Sequence, residues 1–459
     1  MRPERHLLCL VLVLGLLATS VQAEPDPAAT GDEADLRLLL DEARQEIRQL
    51  RTEVDELKQG PDGAYRRELG AALSQVDVPA AAADQDSGSF KLPAGWTFKP
   101  YGYIKGDISY DDSAVTGDNG NYVVWVNSEN DQTRSDDRFS VTARETRLGF
   151  DITAPDYGDL KISGRAEIDF ENTVPATNEN KGSVQLRHAY GQLLAEDWSL
   201  LFGQASDVVS PLVPTTLNYT VGWFAGNLGY RHPQLRFSKW WQCPDEGKFT
   251  LQTSLTREIR QDAGTTGVDD GQDTGPTLMG RVSYSTPFAG KRLEAGVSAH
   301  WGKEEIDWDY VGDDDDVHTW SVNADLVVPI CDQLEAKGEF FYGENIDSIF
   351  GGIGQGVNTT TREEIASVGG WFQLGYKPTK AWAFHGGAGM DNPRDNDLSR
   401  NRPQGQEHRS NNCFVFGNAV YSFTDYLSTG VELSYWKTDY LDGDDGDNMR
   451  IQHSWRLSF

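Results

Sequence analysis

Nine basic residues, Lys105, Arg147, Lys161, Arg165, Arg187, Arg236, Arg281, Arg292 and Lys337, occur in segments where polar and apolar side chains alternate. Side chains along a strand point to two faces in turn, so these cations share the polar face with Asp107, Glu167, Asp169, Glu294, Glu339 and Glu432. A guanidinium is a rigid fork of donors that matches carboxylates and phosphates, and a ladder of such forks in a narrow wet passage favours small anions. The same cations have a second use, in which neighbouring carboxylates neutralise them across strands and stiffen the wall. Both uses stay open on sequence alone. No other chemistry is spelled out: there is no nucleophile elbow, no His-x-x-x-His pair and no phosphate loop, so neither an enzyme nor a cofactor is expected. Asp442-Gly443-Asp444-Asp445 lacks the spacing of a calcium loop, and no metal site is expected.

The elements that must carry these residues are strands. Met449, Ile451, Trp455, Leu457 and Phe459 fall on one side of the last segment and Arg450, Gln452, Ser454, Arg456 and Ser458 on the other, with His453 the outward misfit. Leu160, Ile162, Gly164, Ala166, Ile168 and Phe170 interleave with Lys161, Ser163, Arg165, Glu167, Asp169 and Glu171 in the same way. Two further runs, 292–301 and 320–328, repeat the pattern. About sixteen such segments follow residue 98, an even number as a closed bacterial barrel requires. The stretches between them alternate in length. Long polar connections over 111–137, 172–182, 206–228, 261–275, 302–317, 344–361, 391–409 and 439–448 take turns with short ones such as Glu196-Asp197 and Ala289-Gly290. The expected fold is all-β: an antiparallel transmembrane barrel of about sixteen strands, apolar outside and wet inside, preceded by a short coiled-coil helix. The 206–228 connection carries Pro211, Pro214, Trp223 and Phe224 with little net charge, which suits it to fold inward as the constriction.

Composition agrees with an exported membrane barrel. With 71 acids against 41 bases and a net charge of -30, the chain lacks the basic face that nucleic acid needs. Thirteen Trp and 17 Tyr supply interfacial girdles. Residues 1–23 read as a signal peptide, with Arg2 and Arg5 before an apolar run and Val21-Gln22-Ala23 at the cleavage site. Over 24–60, Leu36, Leu40, Ala43, Ile47, Leu50, Val54 and Leu57 form a heptad seam, read as a periplasmic coiled coil or as a helix packed on the barrel. By themselves Ile47 and Val54 with Leu50 and Leu57 favour two strands. Residues 61–97 read as a linker and 98–459 as the barrel. Cleavage leaves Cys243, Cys331 and Cys413, an odd set, and no intramolecular bridge is expected.

Leu186-Arg187-His188-Ala189-Tyr190-Gly191, Phe202-Gly203-Gln204-Ala205-Ser206, Pro214-Thr215-Thr216-Leu217-Asn218 and Arg231-His232-Pro233-Gln234-Leu235-Arg236 resemble the DcaP-like outer-membrane porins. Arg147-Leu148-Gly149-Phe150 and Tyr435-Trp436-Lys437-Thr438 extend the resemblance over most of the chain. It implies a homotrimer of sixteen-stranded barrels in the outer membrane of a diderm bacterium, in contact with its lipids and passing small anionic solutes such as dicarboxylates. It also makes Arg147, Arg165, Arg187 and Arg236 lumen residues. A non-selective or sugar-preferring pore, with Trp371 stacking on pyranose faces, and a barrel that tethers the envelope through its coiled coil are the competing expectations.

Overall fold

A computed structural model of the chain describes residues 88–116, 123–128, 137–172, 182–257, 275–307, 314–402 and 408–459. The signal peptide, the coiled coil and most of the linker lie outside the described residues. The wall consists of β1 (Thr97–Asp111), β2 (Arg138–Thr142, resumed as Arg147–Thr153), β3 (Lys161–Asn172), β4 (Ser183–Leu194), β5 (Trp198–Ser206), β6 (Arg231–Gln242), β7 (Lys248–Thr256) and β8 (Thr277–Phe288). It continues as β9 (Lys291–Asp307), β10 (Asp314–Pro329), β11 (Leu334–Glu344), β12 (Ala366–Tyr376), β13 (Trp382–Pro393), β14 (Arg409–Ser422), β15 (Leu427–Tyr440) and β16 (Gly446–Ser458). Each strand pairs antiparallel with its chain neighbours, and β16 returns to β1 in register from Tyr103 opposite Ser458 to Asp111 opposite Arg450. The sheet is thus a closed sixteen-stranded antiparallel barrel with no free edge. A two-residue arm, Phe90–Lys91, folds back on Thr97 and Phe98, so sheet pairing begins ahead of residue 98.

Alternation sets the two surfaces. On β16, Met449, Ile451, Trp455 and Leu457 are exposed while Arg450, Gln452 and Ser454 are buried toward the bore. Outward His453 finds a partner on the same face, its Nε2 lying 2.9 Å from Thr429 Oγ1. Leu148, Phe150, Leu278, Val282, Phe340, Phe372, Val415 and Leu433 continue this greasy outer belt around the ring. Exposed apolar area on this scale is stable against hydrocarbon and costly against water. Aromatic rings collect at the short-turn end, where Trp382 stacks on Phe384 at 5.6 Å and Phe423 on Trp455 at 5.7 Å. Such rings suit the boundary between hydrocarbon and headgroups.

One boundary differs from the sequence reading. The 302–317 stretch, expected as a loop, is largely strand: β9 and β10 stay paired from Gly302 opposite Thr319 to Asp307 opposite Asp314. Beyond the hydrocarbon a strand needs no apolar face, so the period-two signal fades while the backbone ladder continues. Cys243, Cys331 and Cys413 are all free, so the expected absence of an intramolecular bridge among them holds.

Candidate functional site: the lumen and its inner loop

The connection between β5 and β6, residues 207–230, turns into the bore and follows its inner wall. Backbone amides of Ser210, Leu212, Thr215 and Leu217 donate to Ser298 Oγ on β9 (3.3 Å), Glu339 on β11 (2.7 Å), Gln373 on β12 (2.5 Å) and Glu432 on β15 (2.6 Å). In the opposite sense the carbonyls of Val213, Thr215 and Leu217 accept from Lys337 (2.7 Å), Asn418 (2.7 Å) and Gln452 (2.9 Å). Lys105 on β1 adds a second bond to the Leu217 carbonyl at 2.8 Å. An extended segment without a strand partner must satisfy every buried amide elsewhere. Inward polar side chains supply those acceptors here, and Pro211 and Pro214 have no N–H to satisfy.

The loop then crosses the bore. Tyr219 donates its hydroxyl to Asp169 on β3 (3.1 Å) and accepts from Arg187 on β4 (3.2 Å). Burial and the Asp169 carboxylate raise this hydroxyl well above its ordinary pKa, so it stays a donor. On the return, Trp223 packs 4.7 Å from Phe350 and Phe224 lies 5.0 Å from the same ring. Trp125 of the first long connection closes the cluster 5.8 Å from Phe224. Gly226, at φ +112°, lies so close to the wall that a Cβ there would stand 2.2 Å from the Gly370 carbonyl oxygen. Loop closure at one end is fixed by Asp207, 2.8 Å from His232 Nδ1 and 2.8 Å from the Tyr230 amide. Burial alone would raise the Asp207 carboxyl, but the His232 charge and these hydrogen bonds hold it below the ordinary carboxylate range.

Most of the expected cations are matched by carboxylates. Arg187 bridges Glu167 (2.7 Å) and Asp169 (2.6 Å), Arg281 bridges Asp325 (2.6 Å) and Glu294 (2.9 Å), and Arg165 grips Asp151 with two bonds of 2.7 and 3.0 Å. Arg147 lies 3.5 Å from Glu167. Lys105 pairs with Glu145, which reaches the bore because residues 143–146 interrupt β2. Arg236 donates to Gln234 (2.9 Å) and to the Ser206 carbonyl, and Lys337 to the loop at Val213. Lys161 and Arg292 stand exposed at the short-turn rim, where Arg292 donates to the carbonyls of Ser285 (2.9 Å) and Glu246 (3.1 Å). Five of the nine therefore sit in ion pairs that brace the wall, and the uniform arginine ladder does not exist. Trp371 is corrected too: at 4% exposure, with its Nε1 donated to Glu339 at 3.0 Å, it offers no open face to a sugar.

Other basic residues are less encumbered. On the short-turn side of the loop, a cavity of ≈ 400 Å³ is lined by Lys105, Lys291, Lys337, Lys377 and Arg456 against Glu145 and Glu335. Lys105 and Glu145 cancel. Among the described residues, Lys291, Lys337, Lys377 and Arg456 form no ion pair with a carboxylate, and Arg456 rests 4.0 Å over the Tyr103 ring. Lys291 and Lys377 escaped the sequence reading because they adjoin turns, where alternation gives no face. Arg231 and His188 escaped it as well. His188 faces inward beside Arg187 because a bulge between Glu167 and Ile168 shifts the β3–β4 register by one residue.

Neither a family model nor a curated protein sequence matches the chain. Solved structures do. The outer membrane channel DcaP of Acinetobacter baumannii aligns with a TM-score of 0.60 at 23% identity, covering 81% of this chain and 99% of that one. The anion-selective porin from Comamonas acidovorans aligns at 0.51 and 12% identity over 79% of this chain and 100% of its own. OmpT, an outer membrane protein of Vibrio cholerae, gives 0.51 at 10% identity over 81% and 100%. The chain thus has the fold of these outer-membrane barrels, and DcaP is the protein whose family the sequence motifs resemble.

Proposed function

We propose that the protein is an outer-membrane porin of a diderm bacterium that lets small hydrophilic solutes diffuse passively, with a preference for small anions such as dicarboxylates. A wall of sixteen strands is too wide for side chains to fill, and its inward face is polar, so the bore holds water. The observation that carries the anion preference is the vestibule below the inner loop, where Lys291, Lys337, Lys377 and Arg456 face Glu335 after Lys105 and Glu145 cancel. In a confined polar passage an excess of one sign enriches the opposite ion. The sequence resemblance supports a homotrimer with the 24–60 coil in the periplasm; light scattering of the detergent-solubilised full chain and of a 24–60 deletion tests that assembly. Zero-current potential across a planar bilayer in a KCl gradient tests the selectivity. We expect an anion-selective wild type, and a shift toward cations in the double variant Lys291→Glu and Lys377→Glu. A cation-selective wild type would remove the anion preference and leave the pore, whereas a bilayer that stays silent would remove both.

A further inference from the structure

We infer that Arg231 and His188 form a seat for a small oxyanion at the level of the inner loop, an assignment that rests on the porin reading and adds the binding residues to it. The other deeply buried arginines facing the bore each have a carboxylate: Arg144 has Glu171, Arg187 has Glu167 and Asp169, Arg281 has Asp325, and Arg450 has Asp111. Arg231, the first residue of β6, differs. It is 7% exposed, its Nε and Nη2 are buried without an acceptor, and among the described residues no carboxylate forms an ion pair with it. Its guanidinium lies 4.1 Å from the Tyr230 ring centre and 6.0 Å from that of Trp223. Aromatic faces attract a cation but leave its in-plane N–H groups unmatched.

His188 supplies a second unmatched group. The bulge that turns it inward leaves its Nδ1 buried without a partner, while Nε2 is 4.0 Å from Glu167. Arg231 and His188 are joined through the loop: Tyr230, under the Arg231 guanidinium, accepts from Gln185 on β4, and Arg187, the neighbour of His188, donates to Tyr219, whose ring lies 6.0 Å from Trp223. The carboxylates nearby are already engaged: Glu167 by Arg147 and Arg187, Asp169 by Arg187 and Tyr219, Asp151 by Arg165. Four arginines, Arg147, Arg165, Arg187 and Arg231, thus meet three acids, and the surplus charge sits on the residue with free donors. A buried unpaired guanidinium is costly, and an anion relieves that cost. Adjacent Nε and Nη2 donors match two oxygens of one carboxylate or phosphate group, whereas a halide offers a single centre.

Block of single-channel current in KCl, titrated separately with inorganic phosphate and with succinate, tests the seat. At least one of the two should block the wild type, and Arg231→Gln should raise its half-blocking concentration about tenfold or more, the size of one charge-assisted contact. Phosphate alone would mark a tetrahedral group as the preferred guest and succinate alone a planar one, and either supports the seat. Arg231→Lys keeps the charge and loses the fork, so it should keep the KCl selectivity yet weaken the block. Lys239→Gln, outside the bore, should leave the block unchanged. An intact current in Arg231→Gln with unaltered half-block would overturn the assignment. Should that variant fail to assemble, anomalous diffraction from wild-type crystals soaked in selenate decides: density against Arg231 supports the seat, and its absence there refutes it. A silent wild-type bilayer would count against the pore reading, and the selenate experiment would still decide the seat.

Discussion

Arg281 shows what the paired lumen charges do. It is almost fully buried, and Asp325 and Glu294 take its donors at 2.6–3.0 Å. Removing one partner of such a pair leaves an uncompensated buried charge, so Arg281→Gln should destabilise the barrel by about 3–5 kcal/mol. A lowered unfolding temperature in detergent, with little change in zero-current potential, is the expected result. Asp207 gives a pH dependence. Its folded-state pKa is depressed, so its stabilising contribution is present above the ordinary carboxylate value and lost as pH falls through the lower folded one. The stability gap between wild type and Asp207→Asn, read from unfolding temperature in detergent, should therefore be full near neutrality and close as pH falls below the ordinary carboxylate range. Alternation in the sequence showed which residues share the bore, for Arg187 with Glu167 and Asp169 as for Arg281 and Glu294. It did not show which of them meet, because pairing depends on strand register and register is not written in any one segment. His188 was hidden by a bulge and Arg231 by its place at a strand end.

On the proposed porin reading, the inner loop is the element that narrows the bore. Glu339 and Glu432, both buried, accept from Leu212, Leu217 and Asn218, and no strand ladder shares the load. Replacing both with Ala should release the first half of the loop and give larger, noisier single-channel steps; steps of wild-type size would contradict the anchoring. The loop was marked in the sequence by its prolines, Trp223 and Phe224, and its low charge, which distinguish it from the acidic connections around it. Its route was not marked, since that is set by acceptors on β9, β11, β12 and β15 and by donors on β1, β11, β14 and β16. The break at 143–146 was likewise invisible: Ala143-Arg144-Glu145-Thr146 carries no glycine or proline, and only the pairing of β1 with both halves of β2 reveals it.

At the scale of the whole molecule, hydropathy period and connection length together specify a closed cylinder. Average hydropathy hid the membrane belt because lipid-facing residues occupy every second position, while the last strand displayed it openly. What the cylinder encloses follows from its width: with sixteen strands the polar inward face must be wet, and among the described residues the 207–230 loop follows that face, with Ile346, Ile349 and Ile353 of the 345–365 connection and Val123 and Val126 of the first long one buried beside it. Current through single molecules of the purified full chain in a planar bilayer, under symmetric KCl, tests this most directly. The account predicts discrete, stable steps with a current linear in voltage. A chain that inserts into the bilayer, shown by its co-flotation with lipid vesicles, and yet passes no current would contradict it.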